Sequence, residues 1–374
     1  MLRLWRDERM RAILFQVALI GGLAAVFFWG FQNARAALDA RGISTGLGFL
    51  FERAGFDLSE SVIPYGPNDT FLDAFLAGLG NTVFVSVAAI VLATVLGIVI
   101  GLARLSPNPL LSRLAAAYVE LFRNTPQLVQ IVFWYSLAIA LPRVRDALDF
   151  GGGVFLSNRG LTFPWIGEPA VGNLVASVLG LSFLATLILV GLPGRRRWRG
   201  TALLGLWGVT LGVVVLGALT AGLERPALTG FNFRGGATLS PEFLALFLGL
   251  GLYIAAFMAE IVRAGLLSVD RGQIEAARTL GLPPRKILAS VRIPQALRVI
   301  VPPAAAQYIS LIKNSSLGVA IGYPELFNIS NSIATLSGQA IEAVTIMGCL
   351  YLATALGVSA IANAYNRVVQ VTER

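Results

Sequence analysis

The 374-residue sequence contains no histidine, a single cysteine, Cys349, and only two lysines, Lys286 and Lys313. The absence of histidine removes the commonest metal ligand and the side chain that most readily transfers protons near neutral pH. One cysteine cannot form a disulfide within the chain. Without a nucleophile–base pair or a cluster of metal ligands, the sequence predicts neither a catalytic site nor a metal site.

Charged residues are also scarce: they make up 13% of the chain, whereas hydrophobic residues make up 56% and the mean hydropathy is +0.74. Several apolar runs reach the roughly 20 residues that a helix needs to cross a bilayer. The first run, residues 13–31, is longer than the apolar core of a typical signal peptide and has no clear cleavage site after it, so we expect it to remain as a span. The composition predicts an all-α, polytopic membrane protein.

Eight transmembrane helices fit the apolar runs, and an even number places both termini on the same side of the membrane. The predicted spans are about 13–31, 72–103, 126–142, 171–192, 201–223, 241–262, 298–321 and 342–363. Basic residues cluster at alternate ends of these spans, in residues 1–11, 195–199 and 263–298. Because cytoplasmic loops are enriched in Arg and Lys, this distribution predicts cytoplasmic termini. The net charge of +9 therefore determines topology and does not indicate nucleic-acid binding.

One long charged segment, residues 268–294, lies late in the chain between two predicted spans. It contains Glu275-Ala276-Ala277, then Gly281 after three residues, then Val291-Arg292-Ile293-Pro294 after nine residues. Residues 270–280 favour a short helix that Gly281 stops and that Pro283 prevents from continuing. A second short helix with one apolar and one basic face is expected from Arg285 to Arg292. The two short helices are predicted to form a protruding surface that docks on another protein.

The spacing in 268–294 resembles the cytoplasmic loop of ABC importer permeases, written EAA, three residues, Gly, nine residues, I-x-L-P. The resemblance implies a type I importer core that is not itself an enzyme. It also implies that Glu275, Ala276, Ala277 and Gly281 couple the chain to an ATPase partner.

The chain has no Gly-Lys pair, and therefore no phosphate-binding motif of the G-x-x-x-x-G-K-[ST] type. The resemblance thus implies that ATP and magnesium bind to two copies of a cytoplasmic ATP-binding subunit, and that this chain holds no cofactor.

Two further motifs, Gly80-Asn81-Thr82 and Phe122-Arg-Asn-Thr-Pro-Gln127, resemble the polar amino acid branch of this permease family. That branch includes importers of histidine, glutamine, arginine and general L-amino acids. The added spans resemble the enlarged permeases of the general L-amino acid or glutamate/glutamine/aspartate type. The resemblance implies a permease of the bacterial inner membrane that pairs with a second, different permease and receives its substrate from a periplasmic amino-acid-binding protein.

The compact members of the family have five spans, which correspond here to predicted spans two, three, six, seven and eight. Four regions follow from this: an added span and external loop in 1–69, the first part of the core in 70–142, an inserted external loop with two added spans in 143–240, and the second part of the core in 241–374. The insert supplies no motif with a chemical role. Its run of three glycines, residues 151–153, indicates a flexible external loop and not a phosphate-binding loop.

Span seven carries Lys313, Asn314 and Ser315 within otherwise apolar sequence. A lysine away from the end of a span is costly in lipid, so it should face a protein partner or a water-filled path. We expect the ammonium of Lys313 to meet the carboxylate of an amino acid, and Asn314, Ser315 and Asn81 to supply hydrogen bonds. Two alternatives stay open. In the first, Lys313 either pairs with Glu325 or Glu342 for structural reasons or extends its ammonium to the membrane interface. In the second, the polar side chains of Asn314 and Ser315 only hold helices together.

Arg123 and Thr125 lie just before Pro126, where span three is expected to begin. Arg123 is a second candidate for binding an anion. Its position at the end of a span suits a gating or interface role better, and we assign that role to Arg123 and Thr125.

An ion-gradient-driven secondary transporter of amino acids is the alternative function. Helices interrupted by Gly or Pro and an intramembrane lysine are compatible with it. Against it, Glu120 and Glu260 are predicted near cytoplasmic ends of spans and Glu342 near an outer end, so no carboxylate lies at the membrane centre. The sequence therefore favours the ATP-driven importer, without indicating which amino acids are carried.

Overall fold

The computed structural model describes residues 8–40, 46–191 and 196–369. The helices are α1 Glu8–Ala40, α2 Phe71–Arg104, α3 Pro109–Asn124, α4 Gln127–Ile139, α5 Pro169–Gly191, α6 Arg196–Ala221, α7 Pro241–Leu267, α8 Arg271–Thr279, α9 Pro284–Ile287, α10 Ile293–Asn314, α11 Leu326–Ser337 and α12 Ala340–Val369. Helices thus occupy all eight predicted spans. The predicted cytoplasmic termini and Arg195 lie outside the described residues.

Five of these helices are long and apolar enough to cross a membrane: Met10–Asn33, Phe71–Arg104, Gly200–Ala221, Pro241–Leu267 and Ala340–Ala364. The apolar part of α4 is shorter, Gln127–Ile139, than the predicted span 126–142. The polytopic helical fold is confirmed. The crossing of the membrane by α4, α5 and α10 remains a prediction from the sequence.

The core is built on a close contact between α2 and α7, which the small residues on both helices permit. A Cβ atom at Gly101 would lie 2.8 Å from the carbonyl oxygen of Ala259, and one at Gly97 would collide with Met258. In the same way, Gly249 of α7 leaves room for Ile131 of α4. Small residues let membrane helices approach until their backbones touch, which maximises van der Waals contact. Helix α7 therefore lies at the centre of the bundle, against α2 and α4.

Local sequence explains where the two central helices begin. Thr70 and Asp73 form a capping box, in which each side chain accepts a hydrogen bond from the other residue's backbone N–H. Ser240 accepts a hydrogen bond from Phe243 N, and Pro241 occupies the first helical turn. Both helices consequently start at defined residues, and Asn81 lies well inside α2.

The described part of the insert, 143–191 and 196–240, contains eight short strands that the sequence analysis did not predict. They are β1 Leu148–Asp149, β2 Phe155–Ser157, β3 Gly160–Phe163, β4 Trp165–Ile166, β5 Leu223–Glu224, β6 Ala227–Thr229, β7 Asn232–Arg234 and β8 Ala237–Leu239. The antiparallel order β1-β2-β3-β8 forms one sheet, and β4-β5 and β6-β7 form two pairs.

The strands of the insert hold two parts of the chain together. The pairing of β3 with β8, Leu161 opposite Leu239, ties the insert to the start of α7. The pairing of β4 with β5 closes the base of the α5–α6 hairpin. Instead of a flexible loop, the glycines at 151–153 form a tight turn with positive φ angles of 67 to 88°. The insert is therefore a folded module.

Predicted span seven, 298–321, is interrupted. Its α-helix, α10, ends at Asn314, and a 3₁₀ turn follows from Ser315 to Ile321 and stops at Gly322, which has φ of 78°. Lys313 consequently lies in the last turn of the α-helix, closer to its end than predicted.

The second predicted short helix, 285–292, is also corrected. It is α9 followed by a π-helical turn, Leu288–Arg292, which continues directly into α10. Residues 284–292 are therefore the beginning of a core helix and not a separate element, whereas α8 is separate.

Candidate coupling surface and substrate site

Helix α8 carries the predicted coupling residues, and its ends follow the sequence pattern. The side chain of Asp270 caps the helix by accepting a hydrogen bond from Gly272 N. At the other end, Gly281 has φ of 74°, and Leu282 N donates to Ala277 O at 3.2 Å. A left-handed residue with a 6→1 bond of this kind is a common helix stop. The predicted stop at Gly281 is therefore confirmed.

The coupling residues divide between an exposed and a buried face. Glu275 and Ala276 are exposed, whereas Ala277 is only 5% exposed. Leu280, beside the helix stop, is 80% exposed although it is a large apolar residue. A single exposed leucine is not in itself a sign of an interface, but Leu280 adds apolar area beside Glu275 and Ala276. Sequence reasoning missed Leu280, because only the fold shows that it points away from the bundle.

The inner face of α8 is joined to the transmembrane helices. Ile274 packs on a cluster that contains Val262 and Leu266 of α7 and Ala296 of α10. Arg292 Nε donates to Leu266 O at 3.2 Å, and Gln295 Nε2 donates to Gln273 Oε1 at 2.6 Å. Helix α8 is thus joined to both α7 and α10 through Ile274 and Gln273, and the Arg292 bond joins the start of α10 to α7. A displacement of α8 would therefore be passed to two core helices.

Lys313 lines a groove of about 380 Å³ between the end of α10, α11 and α12. The other lining residues are Ser316, Phe327, Met347, Gly348, Tyr351, Leu352 and Ala355. Lys313 is exposed, and in the described part of the chain it forms no ion pair with Glu325 or Glu342. The alternative of structural pairing with either carboxylate is therefore not observed.

Glu325 instead bonds through its carboxylate to backbone groups of its own turn and to a tyrosine of α12. Its carboxylate accepts hydrogen bonds from Phe327 N at 2.8 Å, Asn328 N at 2.7 Å and Tyr351 Oη at 2.7 Å. The turn lies outside the candidate spans, and burial raises the pKa of Glu325 to about 7. The carboxylate thus caps α11 and fixes Tyr351 at the edge of the groove.

The side chains of Asn314 and Ser315 do not line the groove of Lys313. Asn314 Nδ2 donates to Gln127 Oε1 of α4 at 2.7 Å. Ser315 is fully buried, and its Oγ donates to Ile312 O at 2.7 Å. Gln127 is 8% exposed, and its Nε2 has no partner among the described residues. Consecutive residues of α10 therefore point to different neighbours: Lys313 toward α12 and Asn314 toward α4.

Asn81 lies apart from this groove and bonds to backbone groups. Its Oδ1 accepts from Val62 N at 2.9 Å, and its Nδ2 donates to Glu60 O at 3.0 Å and to Pro324 O at 2.8 Å. The side chain is 1% exposed. The structure thus does not bring Asn81 together with Lys313, and its part in substrate binding stays a prediction.

Arg123 lies in the last turn of α3, and Thr125 is the residue that follows this helix. The guanidinium of Arg123 stacks over Phe257 of α7, 5.1 Å from the ring centroid. Thr125 Oγ1 donates to Leu121 O at 2.8 Å, so this residue ends α3 and does not cap α4, whose first cap position is Pro126. Their gating role stays a prediction.

An ion-pair cluster that the sequence did not indicate lies near the same end of the bundle. Glu260 of α7 pairs with Arg104 of α2 and with Arg263, the latter at 3.1 Å. All three side chains are partly exposed, so the pairs add little to stability on their own. The pair of Glu260 with Arg104 joins α7 to α2, whereas the pair with Arg263 lies within α7.

Comparison with known proteins gave two kinds of sequence match. A family model described as "binding-protein-dependent transport system inner membrane component" matches residues 203–371. The putative amino-acid ABC transporter permease YhdX of Escherichia coli K12 is 43% identical, over 98% of this chain and 96% of the relative. The general L-amino acid transport system permease AapQ of Rhizobium johnstonii is 38% identical, over 98% of this chain and 94% of the relative.

A third relative is similar over the same length. The glutamate/glutamine/aspartate/asparagine transport system permease BztB of Rhodobacter capsulatus is 37% identical, over 98% of this chain and 96% of the relative. Among solved structures, the crystal structure of an amino acid ABC transporter with histidines has a TM-score of 0.49 and 21% identity, and it covers 79% of this chain and 94% of that one. The sequence matches to the three permeases include the insert.

Proposed function

The chain belongs to the amino acid ABC transporter permeases, within the family of inner-membrane components of binding-protein-dependent transport systems, and we propose from this that it carries polar L-amino acids inward. It is a multi-pass inner-membrane permease and forms one component of a transport system. An importer of this kind works with an ATPase, a binding protein and a second permease. The family assignment replaces the alternative of an ion-gradient-driven transporter.

In the proposed assembly, two copies of the ATP-binding subunit lie under this chain and a different permease. ATP and magnesium bind to those subunits. The basic clusters support an orientation in which 195–199, 268–294 and both termini face the cytoplasm, and in which 32–69 and 143–170 are external.

The observation that carries the proposal is the construction of α8. It exposes Glu275, Ala276 and Leu280 while its other face is fixed to α7 and α10. When the ATPase subunits close on ATP, a helix held in their cleft moves with them and displaces both core helices. The substrate path would then open alternately to the two sides of the membrane.

The substitution Gly281→Asp tests this coupling. A side chain at φ of 74° is strained, and the new carboxylate would stand at the interface with the ATPase. We expect at least a tenfold loss of amino acid uptake by a protein that still inserts and assembles. Gly230→Asp is the matched control, because Gly230 also has positive φ and open space around it but lies in the insert. Normal transport by an assembled Gly281→Asp protein would show that α8 does not couple the ATPase to the permease.

For the substrate position, we infer that the carboxylate of the amino acid pairs with Lys313. The support is an exposed ammonium without an ion-pair partner in the described residues, in a groove lined mainly by apolar side chains and large enough for a small molecule. Because Asn314, Ser315 and Asn81 bond elsewhere in this state, their part in the site requires a rearrangement of α10 or of the segment around Asn81.

A further inference from the structure

A loop between α1 and α2 has a closed base and an inserted tip. The base is held by Ala54 N donating to Asp69 O at 2.8 Å and by Gly55 N donating to Pro67 O at 3.1 Å. Phe49 and Ala54 belong to a buried cluster with residues of α2, α11 and α12. The base is therefore part of the folded core. We call residues 58–63, which protrude from it, the loop tip.

The loop tip reaches far along α2. Asn81 lies about 15 Å from Phe71 at the helical rise of 1.5 Å per residue. At this level Asn81 bonds to Glu60 O and Val62 N of the tip and to Pro324 O. Gly80 leaves room for Ile63, because a Cβ atom there would lie 2.8 Å from Ile63 Cδ1. The loop tip thus packs on α2 at Gly80 and is hydrogen-bonded to the side chain of Asn81.

The side chain of Glu60 lies near the start of α7. Ser240, which caps α7, and Tyr323 are among the residues that influence its carboxylate. Burial, together with the nearby Glu242, raises the pKa of Glu60. The tip is consequently bonded to α2 at Asn81, which also bonds to Pro324 O, and it lies beside the start of α7.

The outer side of the tip is open, with Val62 38% and Ile63 41% exposed. The base carries its own hydrogen bonds, including Tyr65 Oη to Phe56 O at 3.1 Å. Withdrawal of the tip would therefore break its bonds to Asn81 without unfolding the base.

We propose that the loop tip is an external latch that holds α2, α7 and the 322–325 turn together, and that it withdraws from Asn81 when the path opens to the outside. The inference rests on the proposed importer function. An opening between these elements changes their separation, and the bonds of Asn81 to both the tip and Pro324 cannot all survive that change. The latch also accounts for Asn81 being unavailable to substrate in the closed state.

The test uses spin labels in the assembled importer with its ATPase subunits, on a Cys349→Ser background. Labels at Ser61→Cys and Glu52→Cys report the distance between tip and base. Glu52→Cys with Asn68→Cys is the control pair, because both residues lie at the base. We expect substrate-loaded binding protein and a non-hydrolysable ATP analogue to shift or broaden the tip–base distances by about 5 Å or more, while the control distances stay fixed. Unchanged tip–base distances while ATP hydrolysis is stimulated normally would overturn the latch.

A second experiment distinguishes the latch from a role of Asn81 in substrate binding. Gly80→Val displaces Ile63 and leaves Asn81 intact, whereas Asn81→Leu removes both bonds to the tip. The latch predicts that each variant raises ATP hydrolysis in the absence of binding protein at least threefold and broadens the resting tip–base distances. The opposite outcome is that only Asn81→Leu has an effect, and that it changes only the substrate concentration for half-maximal uptake. That result would assign Asn81 to the substrate site and refute the latch. If stimulation of ATP hydrolysis is absent in the unmodified importer, the proposed function itself fails.

Discussion

At the scale of single residues, the proposed pairing of Lys313 with the substrate carboxylate gives a direct prediction. Its ammonium stands in a mostly apolar groove, where a hydrogen bond to a charged partner contributes about 1.5–3 kcal/mol. Lys313→Gln should therefore raise the substrate concentration for half-maximal uptake by about tenfold to a hundredfold. Uptake of labelled amino acids over a range of concentrations measures this.

The charge-retaining variant Lys313→Arg is the control for that measurement. It should lose much less affinity, and both variants should still assemble with the ATPase. Unchanged uptake kinetics in a correctly inserted Lys313→Gln protein would remove Lys313 from the substrate site.

Residues whose role depends on neighbours in sequence were predictable, and residues whose role depends on distant contacts were not. Gly281 was identified because a helix stop needs a left-handed residue at that point of a local pattern. Asn81 was identified from the Gly80-Asn81-Thr82 motif and predicted to bond to substrate, whereas its partners Glu60 and Pro324 are set by the fold and could not be predicted. Glu325 was considered only as a partner of Lys313, and its observed bonds to Phe327 N, Asn328 N and Tyr351 Oη could not be predicted.

At the scale of elements, the contact between α2 and α7 is the main support of the core. A larger side chain at Gly97 would meet Met258 and the backbone of Ala255 and Ala259, which cannot move aside without separating the helices. Gly97→Leu should destabilise the protein by about 1–3 kcal/mol or more. The measurement is the midpoint of thermal unfolding in detergent.

Gly180→Leu is the matched control, since Gly180 lies in α5 with no atom within 4 Å of an added Cβ. It should unfold at the temperature of the unmodified protein. Equal midpoints for the Gly97 and Gly180 variants would contradict the packing of α2 on α7.

Helices were predictable from the sequence and strands were not. Apolar runs of 20 residues or more give a strong signal, and caps such as Ser240-Pro241 set the ends of helices. The strands of the insert are two to four residues long, too short to show an alternating pattern. Their pairing joins residues that are far apart in sequence, such as Leu161 and Leu239, on either side of the α5–α6 hairpin.

At the scale of the whole molecule, the structure connects two ends of one bundle. Helix α8 packs on α7 and α10 at one end, and the loop tip is bonded to α2 and lies beside the start of α7 at the other. Helix α7 lies at the centre of the core and reaches both ends. In the proposed importer, a force that the ATPase applies at α8 would therefore act on a helix whose other end lies beside the loop tip.

The most direct test of this account is uptake into liposomes that contain the permease pair and its ATPase subunits, with the binding protein outside. Labelled polar L-amino acids should accumulate only when ATP is enclosed with the ATPase domains and the binding protein is present, whatever ion gradients are applied. Accumulation driven by an ion gradient alone, with no ATPase subunit in the membrane, would contradict the account.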